Sequence, residues 1–155
     1  MHALVRCSTS SEAGDASTMT LAIDTSALVK RYLREPGRDL VIEAMDADAA
    51  WCASALTRTE TLVALHRSAV SRRQQQALWA TFRDDWDAMV VIPVDDRCLG
   101  RAVEIGAGFG IRTVDAIHLA AADRLPRPTR YLTFDRHQIP AAASLGLEVV
   151  SPYDE

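Results

Sequence analysis

Apolar residues recur along this chain in two rhythms. Short, mostly apolar runs have strand length: Leu21-Ala22-Ile23, Ala49 to Ala53, Val90 to Val94, Tyr131 to Phe134 and Leu147 to Val150. Between them, apolar residues stand three and four apart, which is the helical period. This spacing predicts a helix over 26–33, with Leu28, Val29, Tyr32 and Leu33 on one face, and after Pro36-Gly37 a second over 38–47. A third, over 57–70, opens on Thr57-Arg58-Thr59-Glu60, which has the form of a capping box.

The fourth predicted helix, 71–88, carries the stripe Leu78, Trp79, Phe82 and Trp86, expected to face the core. Asp95 is placed to cap a fifth that closes near Gly106-x-Gly108-x-Gly110. Those glycines follow a helix and not a strand, so they are not a nucleotide-binding loop. Thr113 reads as the N-cap of a sixth helix ending near Leu125, and a short helix precedes the last strand. Strands alternating with helices predict an α/β fold: a mainly parallel central sheet with helices on both faces.

Composition narrows the picture. With 155 residues, 48% hydrophobic and 25% charged, the chain suits one domain with a proper core. The net charge of -4 and pI near 5.5 give no mean attraction to nucleic acid, so any basic surface must be local. Lys30 is the single lysine, which leaves arginine as the main cation. Cys7, Cys52 and Cys98 are too widely spaced for a disulfide framework or zinc site, and Cys52 and Cys98 are expected in the core. No apolar run is long enough for a membrane span, and a cytoplasmic protein is expected. Residues 1–18 read as a disordered leader or as sequence upstream of a true start at Met19, leaving 19–155 as the domain.

The candidate chemistry lies in four acids. Asp24 and Asp135 end strands, while Glu60 and Asp115 stand in the first turns of helices that follow loops. In a parallel open sheet, strand C-termini and helix N-termini share one edge, where ligands bind. Each acid has an ordinary use as a cap or dipole partner. Four converging carboxylates, however, repel one another unless protonated or neutralised. A hard divalent cation, Mg²⁺ or Mn²⁺, removes that conflict, and metal-assisted phosphodiester hydrolysis is the reaction class it favours.

Four segments carry a resemblance: Ile23-Asp24-Thr25-Ser26-Ala27-Leu28-Val29-Lys30; Ser54-x-Leu56-Thr57-x-x-Glu60; Thr113-Val114-Asp115-Ala116-Ile117-His118-Leu119-Ala120; and Leu132-Thr133-Phe134-Asp135. In order and spacing they resemble the acidic motifs of PIN domains, and within these the VapC-type toxins, over about residues 20–153. The resemblance implies a three-layer α/β/α fold and a Mg²⁺-dependent endoribonuclease, with Mn²⁺ as a substitute. It also implies a homodimer and inhibition by a VapB-type antitoxin. Asp24 and Asp115 would be the main metal ligands, Glu60 and Asp135 would complete the quartet, and Ser26 and Thr133 would support it.

Arg112 and Arg136, beside the acids, are the first candidates for RNA phosphate contacts, ahead of Arg31, Arg34, Arg38, Arg58 and Arg130. His118 is expected to pack or hydrogen-bond beneath the site. Three alternatives stand: an RNA-processing PIN-like nuclease outside toxin–antitoxin systems, a non-catalytic RNA- or partner-binding module, and an aspartyl-phosphate domain. The last fits poorly, since Asp24-Thr25-Ser26 lacks a second acid.

Overall fold

The structure, a computed structural model, describes residues 19–153. The expected leader, residues 1–18, and Cys7 within it lie outside the described residues. Five strands form one parallel sheet: β1 (Thr20–Ile23), β2 (Ala50–Ser54), β3 (Val90–Ile92), β4 (Thr129–Leu132) and β5 (Glu148–Val150), in the order β3-β2-β1-β4-β5. The helices among the described residues are α1 (Thr25–Leu28), α2 (Arg38–Ala47), α3 (Ala55–Ser68), α4 (Arg72–Asp87), α5 (Asp96–Phe109), α6 (Thr113–Asp123) and α7 (Ile139–Ser144). None is long and apolar enough to cross a membrane.

Alternation along the strands sorts side chains into two cores. Leu21 and Ile23 of β1, Ala53 of β2 and Leu132 of β4 join Leu28, Val41, Met45, Leu65 and Phe82 on one face. Ala22, Cys52, Ile92 and Tyr131 join Cys98, Ile105, Leu119, Ala120 and Ala141 on the other. Successive strand residues point to opposite faces, so a sheet covered twice gives three layers, α/β/α. The aromatic stripe is core as expected: Phe82 is fully buried, with Leu78, Trp79 and Trp86 packed around it.

Several boundaries differ from the sequence reading. The first helix is a single α turn that tightens into a 3₁₀ turn at Val29–Arg31. α5 runs through Gly106 and Gly108 to Phe109, and Gly110, at φ 65°, ends it; of these three glycines only Gly110 takes the left-handed region. β4 starts and stops two residues earlier than expected, so Asp135 lies beyond the strand end.

α3 begins at Ala55, so Thr57 is already helical and the capping box does not form. Ser54 occupies the N-cap without a side-chain bond to a helix amide; its hydroxyl meets His118 Nδ1 at 2.9 Å and Thr57 Oγ1 at 3.4 Å. Glu60 therefore stands in the second turn. Likewise Thr113 is the first residue of α6, with Arg112 at the N-cap and no capping side chain. Asp115 keeps its place in the first turn.

Candidate active site

The central strand β1 is hydrogen-bonded to both β2 and β4, and Asp24 follows its last residue at the edge where the strand order changes direction. Asp24 caps α1, accepting from the Ala27 amide at 3.1 Å. It is only 1% exposed. Ser26 Oγ donates to both of its oxygens, at 2.7 and 2.9 Å, and Thr133 Oγ1 donates to Oδ2 at 2.9 Å. Both expected hydroxyl supports thus touch the acid. Burial pushes the Asp24 carboxyl above its ordinary range, against the pull of these donors and of His118.

Asp115 reaches the same place from α6, a helix whose residues 115–122 are all buried. Its Oδ2 accepts from Arg112 Nε at 3.0 Å. The Arg112 guanidinium also lies 3.8 Å from Asp135 Oδ2, although its side chain is 81% exposed. Asp135 caps the 3₁₀ turn Arg136–Gln138 through the His137 amide, and its own amide donates to Thr133 Oγ1 at 3.0 Å.

Glu60 completes the set from α3. Its Oε1 accepts from Thr25 Oγ1 at 2.7 Å and lies 2.6 Å from His118 Nε2. A carboxylate only accepts, so Nε2 carries a proton, while Nδ1 pairs with Ser54 Oγ at 2.9 Å. Burial would raise the Glu60 carboxyl. The hydrogen bonds from His118 and Thr25 and the charges of His118 and Arg112 outweigh it, so the group titrates below its ordinary value. His118 is 5% exposed and sits under the acids, as expected.

Asp24, Glu60, Asp115 and Asp135 line one cleft of about 350 Å³, together with Thr25, Ser26, Arg112, Thr113, Val114 and His118. Arg136 does not line it; its guanidinium stacks on the Tyr153 ring, 4.4 Å from the centroid. Arg31 pairs with Asp85 and Arg130 with Asp48, each at a distance from the acids. Among the described residues, no three acids, histidines or cysteines stand close enough together to hold a metal ion as they are placed. Arg112 draws on the outer Asp115 oxygen, and a buried glutamine, Gln138, stands between Asp24 and Asp115.

Sequence reasoning missed Gln138 and Thr25. Thr25 follows Asp24 directly and its hydroxyl is a plausible donor from sequence; nothing local marks Gln138.

An open parallel sheet with an acid-lined cleft at its carboxyl edge defines the structural class. The sequence profile of the PIN domain matches residues 21–145, and the chain belongs to the PIN domain family. It is 34% identical over 131 residues, 84% of this chain and 95% of the relative, to Ribonuclease VapC46 of Mycobacterium tuberculosis. Among solved structures, it is similar to a chain of a toxin-antitoxin complex from Klebsiella pneumoniae. That match has TM-score 0.60 and 22% identity, covering 88% of this chain and 99% of that one. VapBC2 from Rickettsia felis, bound to a DNA fragment from its promoter, matches with TM-score 0.61 and 13% identity over 88% of this chain and 100% of that one.

Proposed function

We propose that this protein is a divalent-metal-dependent endoribonuclease, the toxin of a toxin–antitoxin pair, with Asp24, Glu60, Asp115 and Asp135 as its reactive acids. One observation carries the reading: four carboxylates from four distant segments line a single cleft. The similarity to a relative named a ribonuclease supports the reaction, and the toxin–antitoxin complexes among the structural neighbours support a VapB-type antitoxin as partner.

The donor set fits a hard cation. It is all oxygen, one acid is buried against its own ionisation, and a guanidinium already lies against two of the others. Asp24 and Asp115 would hold Mg²⁺ or Mn²⁺, with Asp135 and Glu60 at its margin. When bound, the ion makes a water acidic enough to serve as nucleophile near neutral pH and offsets charge on the phosphodiester.

The chain's own residues do the rest. Ser26, Thr133 and the Ala27 amide keep Asp24 ionisable and fixed in direction. Thr25 and His118 aim Glu60 into the cleft, where it can accept a proton from the attacking water. Arg112 is free to leave the acids for a phosphate, since its side chain is largely solvent-exposed. Lys30 pairs with Glu35 outside the cleft, which disfavours an aspartyl-phosphate mechanism needing a lysine at the acids.

The test is cleavage of RNA by purified protein in Mg²⁺ or Mn²⁺, with chelator and with Asp24→Ala and Asp115→Ala. Activity lost in all three arms supports the reading. Wild-type rates in both variants overturn it.

A further inference from the structure

Gln138 belongs to none of the acidic motifs, yet it is 1% exposed and touches two of the four acids. Its Nε2 donates to Asp24 Oδ2 at 2.9 Å and to Asp115 Oδ1 at 3.0 Å, while its Oε1 accepts from the Tyr131 hydroxyl at 2.5 Å. The orientation of the amide follows from chemistry alone. Carboxylates accept and cannot donate, so the NH₂ end must face them; the oxygen is then left for Tyr131, whose hydroxyl donates to it.

We infer that Gln138 is a positioning residue, whose amide, anchored by Tyr131, sets the separation and direction of Asp24 and Asp115. An amide suits this task better than the alternatives. A lysine in its place would neutralise the acids and compete with a metal; a glutamate would add a fifth repelling charge. One neutral NH₂ gives a hydrogen to each acid and leaves both negative charges in place. The clamp also links parts of the fold that no local interaction joins: Asp24 after β1, Asp115 on α6, Tyr131 on β4, and Gln138 itself ahead of α7. Residues that orient metal-binding groups from behind affect metal affinity even though they never touch the ion.

The inference rests on the proposed metal site, and the experiment separates the two. Mn²⁺ is titrated calorimetrically into wild-type protein, Gln138→Met and Tyr131→Phe, with far-UV circular dichroism as the check of fold. Methionine matches glutamine in length but donates nothing; the Tyr131 variant keeps the amide and removes its anchor. Gln138→Met is expected to bind Mn²⁺ roughly 10- to 100-fold more weakly while remaining folded. Tyr131→Phe is expected to show a smaller loss in the same direction. A purely structural role would lower the melting temperature and leave the affinity of folded protein unchanged, and that result in both variants overturns the inference. Should Gln138→Met fail to fold, Tyr131→Phe decides: weakened binding supports the clamp and wild-type binding overturns it. If wild-type protein itself takes up no Mn²⁺, the metal site falls, and the clamp's role falls with it.

Discussion

His118 Nε2 lies 2.6 Å from Glu60 Oε1, joining a buried ring on α6 to a partly exposed carboxylate on α3. The ring is held from behind by Ser54, so Glu60 is aimed by a two-step relay of hydrogen bonds. His118→Leu removes the relay and leaves the buried Ser54 hydroxyl without its closest partner. The expected loss is about 1–3 kcal/mol of stability, read by urea unfolding.

The same substitution should change how Glu60 titrates. In the wild type its folded carboxyl lies below the ordinary value of 4.5. A depressed acid contributes stability that is present above its unfolded pKa and lost as pH falls through the folded one. Glu60 therefore supports the fold at neutral pH and ceases to do so only below 4.5. In His118→Leu its carboxyl resonance, followed by carbon NMR, should titrate at higher pH than in wild type; an unmoved midpoint would refute the relay.

Arg112 competes with any cation for the outer Asp115 oxygen. In Arg112→Ala, Mn²⁺ should bind more tightly by severalfold, because the competing charge is gone. RNA should bind more weakly, with the slope of log affinity against log salt reduced by about 0.7, the contribution of one phosphate contact on a single strand. Unchanged values for both would remove Arg112 from the site.

Metal addition should stabilise the protein. Asp24 carries a raised pKa because it is buried. Its charge therefore opposes folding at pH values above that raised pKa, and the opposition fades as pH falls through it. A divalent cation at about a hundred times its dissociation constant adds roughly 2.7 kcal/mol, or about 5–10 °C in melting temperature for a chain of this size. Differential scanning fluorimetry with Mg²⁺, then with chelator, should show the rise and its reversal. Asp24→Ala/Asp115→Ala should show neither.

Gly37 offers a test away from the acids. Its φ of +97° and the Phe134 ring beside it leave no room for a Cβ. Gly37→Ala should cost at least about 1–2 kcal/mol from the backbone alone, with further loss from displacing the ring. Cleavage per folded molecule should stay near wild type.

The layers of the fold were legible wherever the signal was local. Apolar runs located all five strands, Asp95 caps its helix as read, and Asp24 ends its run as read. Local signals misled where a side chain had a better partner elsewhere. Ser54 turns its hydroxyl to His118, 64 residues away, and the helix starts there without a capping side chain, so Thr57-to-Glu60 is no box. Gln138 was invisible for the same reason: its partners, Asp24 and Asp115, are 114 and 23 residues distant. No periodicity or spacing encodes a bridge whose three members meet only after the sheet has closed.

Because β1 finds one of its two neighbours in β4, Asp24 meets Thr133 across 109 residues of polypeptide. Asp24, Glu60 and Asp115 therefore all precede in the chain the residues, Thr133, Asp135 and Gln138, that complete their surroundings. The cleft is whole only when the second half of the chain has folded back and β4 has taken its place beside β1.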